Sequence, residues 1–173
     1  MLRFYKSFSF LLVLTLFFFS FKGSEKNNAK PILKTQSIPV YNFEGFKHML
    51  NYEDDKTYII NFWATWCKPC VKEMPYFEKI GKNFKDKNVE VILVSLDFPN
   101  NLESRVLPFI EKNNLKSRVV LLDDANQNRW IPLVSETWSG AIPATLIYNK
   151  NKRTFYEQSF TYEQLLNELK LFL

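Results

Sequence analysis

Two runs of this chain, Thr57-Tyr58-Ile59-Ile60-Asn61-Phe62-Trp63 and Val89-Glu90-Val91-Ile92-Leu93-Val94-Ser95-Leu96, are apolar almost without interruption. A strand with one face in water alternates apolar and polar residues. A strand covered on both faces does not, and β-branched residues suit the extended backbone. Both runs therefore read as central strands. The stretch between them, from Cys67 to about Phe84, reads as a helix. A strand-helix-strand unit of this length makes its two strands parallel, with the helix crossing one face of the sheet. Pro75 falls inside that helix, where it removes one backbone hydrogen bond and is expected to bend the axis.

The remaining elements are arranged around this unit. Asn42 caps a short helix with Phe43, Phe46 and Leu50 on one side. After the second strand, Leu102, Val106, Phe109 and Ile110 share a helical face, with Pro108 leaving open whether the helix is one piece or two. Val119 to Asp123 is a further short strand, and Asp124 to Gly140 reads as polar and irregular. Ala144 to Tyr148 and Thr154 to Ser159 form two strands joined at Asn149-Lys150-Asn151-Lys152. Thr161 and Gln164 make a capping box for a last helix whose Leu165, Leu169 and Phe172 share a face. The order is βαβαβ, then a hairpin and a closing helix. It predicts an α/β three-layer sandwich with a mixed central sheet.

The N-terminus differs from the rest. Arg3 and Lys6 precede mostly apolar residues from Phe8 to Phe21, and Lys22 follows, which is the pattern of an export leader. As a helix this segment rises only about 21 Å against a hydrocarbon core of roughly 30 Å. No small-x-small cleavage site stands out, so residues 1–22 are read as a signal peptide or an uncleaved anchor. Residues 23–37 are read as a polar linker, and residues 38–173 as one domain. The formal charge is +5, and setting aside Arg3, Lys6 and Lys22 leaves +2. Basic and acidic residues are interspersed, which gives nucleic-acid binding no support.

Cys67 and Cys70 are the only cysteines, and they are spaced Cys-x-x-Cys where a strand ends and a helix begins. At a helix N-terminus a sulfur faces unpaired N–H groups and the positive end of the dipole, which favours thiolate, and Lys68 adds a nearby cation. Cys67 is the candidate nucleophile, and Cys70, almost a turn further on, the candidate resolving thiol. A bridge across so short a loop adds little stability through chain entropy. Two other readings stand beside this one. A structural zinc site needs four ligands, whereas the chain offers two cysteines and His48, itself read as a surface residue; a static disulfide or inert core thiols remain the other alternative. Trp66 and Pro69 frame the pair as in a redox motif.

Asn61 to Pro75, NFWATWCKPCVKEMP, resembles the TlpA/ResA-like thiol-disulfide oxidoreductases of the bacterial envelope, members of the thioredoxin superfamily. The likeness extends loosely over residues 38–173, including an extra βα unit near 99–125. It implies a thioredoxin-like fold and catalysis by Cys67 and Cys70. It places Ile142-Pro143 at the family's cis-proline position, whose loop faces the Cys-x-x-Cys and offers backbone groups to a substrate chain. It gives Glu73, three residues past Cys70, the part of relaying protons to the thiols, with a solvent-facing helix residue as the alternative reading. The buried aspartate of cytoplasmic thioredoxins is replaced by Asn61, which leaves proton transfer to Glu73 or water. Trp63 and Trp66 are expected to shape the active-site surface, with Trp66, Pro69, Ile142 and Pro143 meeting substrate. For Trp130 and Trp138, lining a groove and anchoring a loop are equally good readings.

The resemblance further implies an exported reductase in the periplasm or cell envelope. Its partners would be disulfide-containing envelope proteins, cytochrome c apoproteins among them, and a membrane thiol donor, with no metal or organic cofactor. A disulfide oxidase or isomerase, and a peptide-binding module that makes no use of its thiols, are the rival readings. A thiol peroxidase is disfavoured because Asn61 to Cys67 carries no proline at the spacing of the Pro-x-x-x-Thr/Ser-x-x-Cys pattern.

Overall fold

The computed structural model describes residues 37–173. The leader reading, and the linker reading apart from Ser37, lie outside them. The described elements are β1 (Val40–Tyr41), α1 (Phe43–Phe46) running into a 3-10 turn, β2 (Thr57–Trp63), α2 (Lys68–Asn83), β3 (Val89–Ser95), α3 (Leu107–Lys112), β4 (Arg118–Leu122), α4 (Gln127–Val134), β5 (Ala144–Tyr148), β6 (Arg153–Tyr156) and α5 (Tyr162–Lys170). The strands form one mixed sheet in the order β1-β4-β3-β2-β5-β6. β1, β4, β3 and β2 are mutually parallel, while β5 runs antiparallel to β2 and β6 antiparallel to β5.

The uninterrupted apolar runs do occupy the middle of this sheet, and every residue of β2 is buried. Their side chains divide strictly by parity. Ile59 and Trp63 of β2, Val89, Val91 and Leu93 of β3, and Val119 and Leu121 of β4 face one layer, with Met74, Phe77 and Ile80 of α2, Ile110 of α3 and Leu165 and Leu169 of α5. Tyr58, Ile60, Phe62, Ile92, Val94, Val120 and Leu122 face the other, with Phe43, Phe46 and Met49, and with Trp130 and Val134 of α4. A period of two in the strands thus meets helices on both sides, the three-layer α/β/α arrangement that the element order predicts.

The termini of the helices follow local chemistry. Asn42 accepts the Gly45 N–H at 2.9 Å. Thr161 Oγ1 accepts the Gln164 N–H while Gln164 Oε1 accepts the Thr161 N–H, which closes the capping box. Pro75 lies within α2, which continues through it to Asn83. The inserted unit comes out as helical turns followed by β4. A 3-10 turn (Pro99–Asn101) and a π turn (Leu102–Val106) lead into α3, and Pro108, which lacks an N–H, falls just where the π turn gives way to α3.

Three sequence readings change. The segment 124–140 is not wholly irregular, because α4 lies within it; Trp130 and Val134, four residues apart, put one face into the core despite Pro132. The last strand ends at Tyr156, not Ser159. β1, two residues long, pairs Val40 with Leu121 and Tyr41 with Leu122 at the sheet edge. Trp130, in α4, and Trp138 anchor the segment 124–140 to the core: both are buried, and their indole N–H groups donate to the carbonyls of Asp124 and Ala141 at 3.0 and 2.8 Å.

Candidate active site

β2 ends at Trp63 and α2 begins at Lys68, so residues 64–67 form the turn between them. The Cys67 N–H donates to Ala64 O at 3.1 Å, and Cys67, in extended conformation, is the N-cap of α2. Its Sγ accepts the Cys70 N–H at 3.3 Å. Pro69 occupies the first turn, where its missing N–H costs nothing. Cys67 and Cys70 are joined as a disulfide, with Cα atoms 5.3 Å apart. Cys67 retains 5% exposure and Cys70 is fully buried. Sulfur at this position meets oriented N–H groups and the positive end of a sixteen-residue helix, and both stabilise an anion once the bridge is opened.

The sheet brings a third segment here. β5 pairs with β2 through Phe62↔Ala144 and Asn61↔Thr145, so the residues just before β5 reach the Cys67 turn. The Ile142–Pro143 bond is cis, and Ile142 O lies 3.7 Å from Cys67 Sγ. Pro143 itself is buried, while Pro69 and Trp66 face solvent, Trp66 at 55% exposure. Of the two tryptophans expected at the surface, only Trp66 is there. Trp63 is wholly buried against Phe109, with ring centroids 5.0 Å apart. The physical reason is strand parity: Trp63 stands two and four residues from Asn61 and Ile59 and points with them into the helical layer.

Glu73 is not solvent-facing. It is 1% exposed, on the same side of α2 as Cys70 one turn earlier. Its Oε2 accepts the Phe160 N–H at 2.7 Å and its Oε1 accepts Asn61 Nδ2 at 3.1 Å. Burial pushes its pKa up to about 7, against the lowering effect of those two donors. Asn61, which also donates to Thr145 Oγ1 at 3.1 Å, serves as Glu73's hydrogen-bond donor, and its own Oδ1 has no partner among the described residues. His48 is exposed, in edge contact with Tyr41 and Tyr52.

One group at this end of the sheet was not singled out from sequence. Asp97, 2% exposed, lies just beyond β3. Its Oδ2 accepts the Thr65 N–H at 2.9 Å and Ser95 Oγ at 2.9 Å, and its Oδ1 accepts Thr65 Oγ1 at 2.6 Å. The carboxylate thereby ties the turn after β2 to the turn after β3. The signal was present in the parallel register, which sets Trp63 beside Ser95 and so places Thr65 near Asp97.

Residues 37–154 match the AhpC/TSA family. The chain is 33% identical over 134 residues to thiol-disulfide oxidoreductase ResA of Bacillus anthracis, covering 76% of this chain and 72% of that one. It is 31% identical over 112 residues to ResA of Bacillus cereus, covering 65% of this chain but only 60% of the relative's length. A thioredoxin-related protein from Neisseria meningitidis serogroup B superposes with a TM-score of 0.59 at 26% identity, over 69% of this chain and 86% of that one. Both the resemblance carried by residues 61–75 and the thioredoxin-like architecture extend well beyond the motif.

Proposed function

This chain belongs to the AhpC/TSA family and, within it, to the thiol-disulfide oxidoreductases; from that premise we propose that it is an exported protein-disulfide reductase working through Cys67 and Cys70. In the forward direction the Cys67 thiolate attacks one sulfur of a client disulfide, forming a mixed disulfide and expelling the client's other sulfur as a thiolate. The Cys70 thiolate then attacks Cys67 Sγ, forming the intramolecular bridge and releasing the second client thiolate. Two electrons pass to the client, and its two thiolates take up the two protons. A dithiol donor at the membrane returns the pair to the reduced form.

What carries the reading is one contact set: the Cys67 sulfur sits at the α2 N-terminus, accepts the Cys70 N–H and is bonded to Cys70 Sγ. Glu73 is the group proposed to hold and pass a proton, since a carboxyl titrating at about 7 is divided between its two forms near neutral pH. Trp66, Pro69, Ile142 and Pro143 are proposed to meet the client chain, with the Ile142 carbonyl at the sulfur. Export rests on the leader pattern of residues 1–22. Placement in the periplasm or envelope, envelope clients and a role in cytochrome c maturation rest on the resemblance alone.

Reduction of insulin disulfides by the wild type, with Cys67→Ser at the uncatalysed background, is the expected result; equal rates would remove the reading. The reduction potential tests the direction, since 30 mV corresponds to about 1.4 kcal/mol for a two-electron couple. A strongly oxidising value would make the protein an oxidase. Cys70→Ala is expected to retain clients as mixed disulfides on Cys67, identified by mass spectrometry.

A further inference from the structure

We propose that Phe98 is a specificity-determining residue, paired with Trp66 to receive an apolar side chain next to the client's disulfide; this rests on the reading of Cys67 as the nucleophile. Six large apolar side chains are exposed among the described residues: Val40, Trp66, Phe98, Leu133, Leu171 and Leu173. Trp66 and Phe98 alone occupy the turns that leave the C-terminal ends of the neighbouring strands β2 and β3. Phe98 is the most exposed of the six, at 70%. A phenylalanine so placed gains little from burial in the free protein.

Its backbone is nonetheless fixed from both sides. Asp97, immediately before it, is held by Thr65 and Ser95. Pro99, immediately after it, opens the 3-10 turn and restricts Phe98 to extended backbone, observed at φ −63° and ψ 143°. The same Asp97 contacts hold Thr65, so they also fix the chain just before Trp66. Two exposed aromatic residues are thus mounted on turns cross-linked by one buried carboxylate, with Cys67 directly after Trp66. Backbone that is already ordered before binding loses little further conformational entropy when the aromatic side chains it carries are covered. A chain that forms a mixed disulfide with Cys67 must pass the 64–67 turn that carries Trp66, and Asp97 ties that turn to the one that carries Phe98. The occupant this surface fits is a polypeptide with an aliphatic or aromatic residue beside its half-cystine.

The test uses the full chain and two synthetic peptides of the same length, each with one internal disulfide, flanked by leucine in one and serine in the other. The ratio of their kcat/KM values reports the preference. Wild type is expected to favour the leucine peptide by about tenfold, mainly through KM. Phe98→Ala is expected to bring the ratio near one, and Phe98→Tyr to restore most of it. An unchanged ratio in Phe98→Ala, or equal loss on both peptides, would overturn the inference while leaving the nucleophile reading in place. A wild type that reduces neither peptide and matches Cys67→Ser would overturn both.

Discussion

The two ends of the sheet solve opposite problems. At the C-terminal ends of β2 and β3 two buried carboxylates each gather donors: Asp97 from Thr65 and Ser95, Glu73 from Asn61 and Phe160. At the N-terminal ends a cleft of about 920 Å³ opens between α2, β3 and the chain entering β4, with Lys56, Lys82, Lys116, Glu78 and Glu90 among its lining residues. Its ion pair, Lys56–Glu90 at 2.7 Å, stays partly in contact with solvent. The hollow lies away from the sulfur chemistry. A thiol-disulfide oxidoreductase needs its sulfur on a rigid rim more than in an enclosing cavity, and rigidity at this rim comes from desolvated hydrogen bonds.

That contrast breaks most visibly at Asp97. Asp97→Ala strands the Thr65 N–H, the Thr65 hydroxyl and the Ser95 hydroxyl, and is expected to cost about 4 kcal/mol. Lys116→Ala in the cleft is expected to stay within about 0.5 kcal/mol. Chemical denaturation of both variants measures the difference, and comparable values would dissolve the distinction between the two ends.

Glu73 gives the next effect, through pH. Its folded pKa of about 7 lies above the ordinary 4.5, so between these values the folded protein binds a proton that the unfolded chain has released. Its contribution is fully favourable below the ordinary value and declines as pH rises toward 7, by on the order of 3 kcal/mol in all. Glu73→Gln lacks this proton exchange. The stability of the variant relative to wild type should therefore rise across that window, and a constant difference from pH 4 to 8 would exclude the titration. The smallest expected effect belongs to the cleft: a double-mutant cycle on Lys56 and Glu90 should give about 0.2–1 kcal/mol, reduced by added salt. A coupling several times larger and insensitive to salt would show that the cleft is desolvated after all.

Much of this architecture was legible because the central strands are covered on both faces and announce themselves as unbroken apolar runs, and because Asn42, Thr161 and Gln164 mark helix starts with side chains that cap them. The Cys-x-x-Cys was legible for the same local reason, a motif at a strand-to-helix junction. What escaped depends on relations between distant residues. Two residues at Val40–Tyr41 carry no period of their own and become a strand only beside β4. α4 is disguised by Pro132 and by polar residues around Trp130. Trp63 reads as a surface residue by its nearness to the cysteines, yet parity with Ile59 sends it inward. Asp97 carries no local signal, and only the β2–β3 register brings Thr65 to it.

The fully buried Cys70 has a consequence for any reagent that approaches from solution. Of the two sulfurs only Cys67 belongs to a residue with any exposure, so a reduced sample should take up its first label there and the second only on unfolding. The same asymmetry sets regiochemistry. On the mechanism proposed above, every adduct with a macromolecule hangs from position 67, its detachment is intramolecular, and the lifetime of the adduct is governed by the buried sulfur of Cys70.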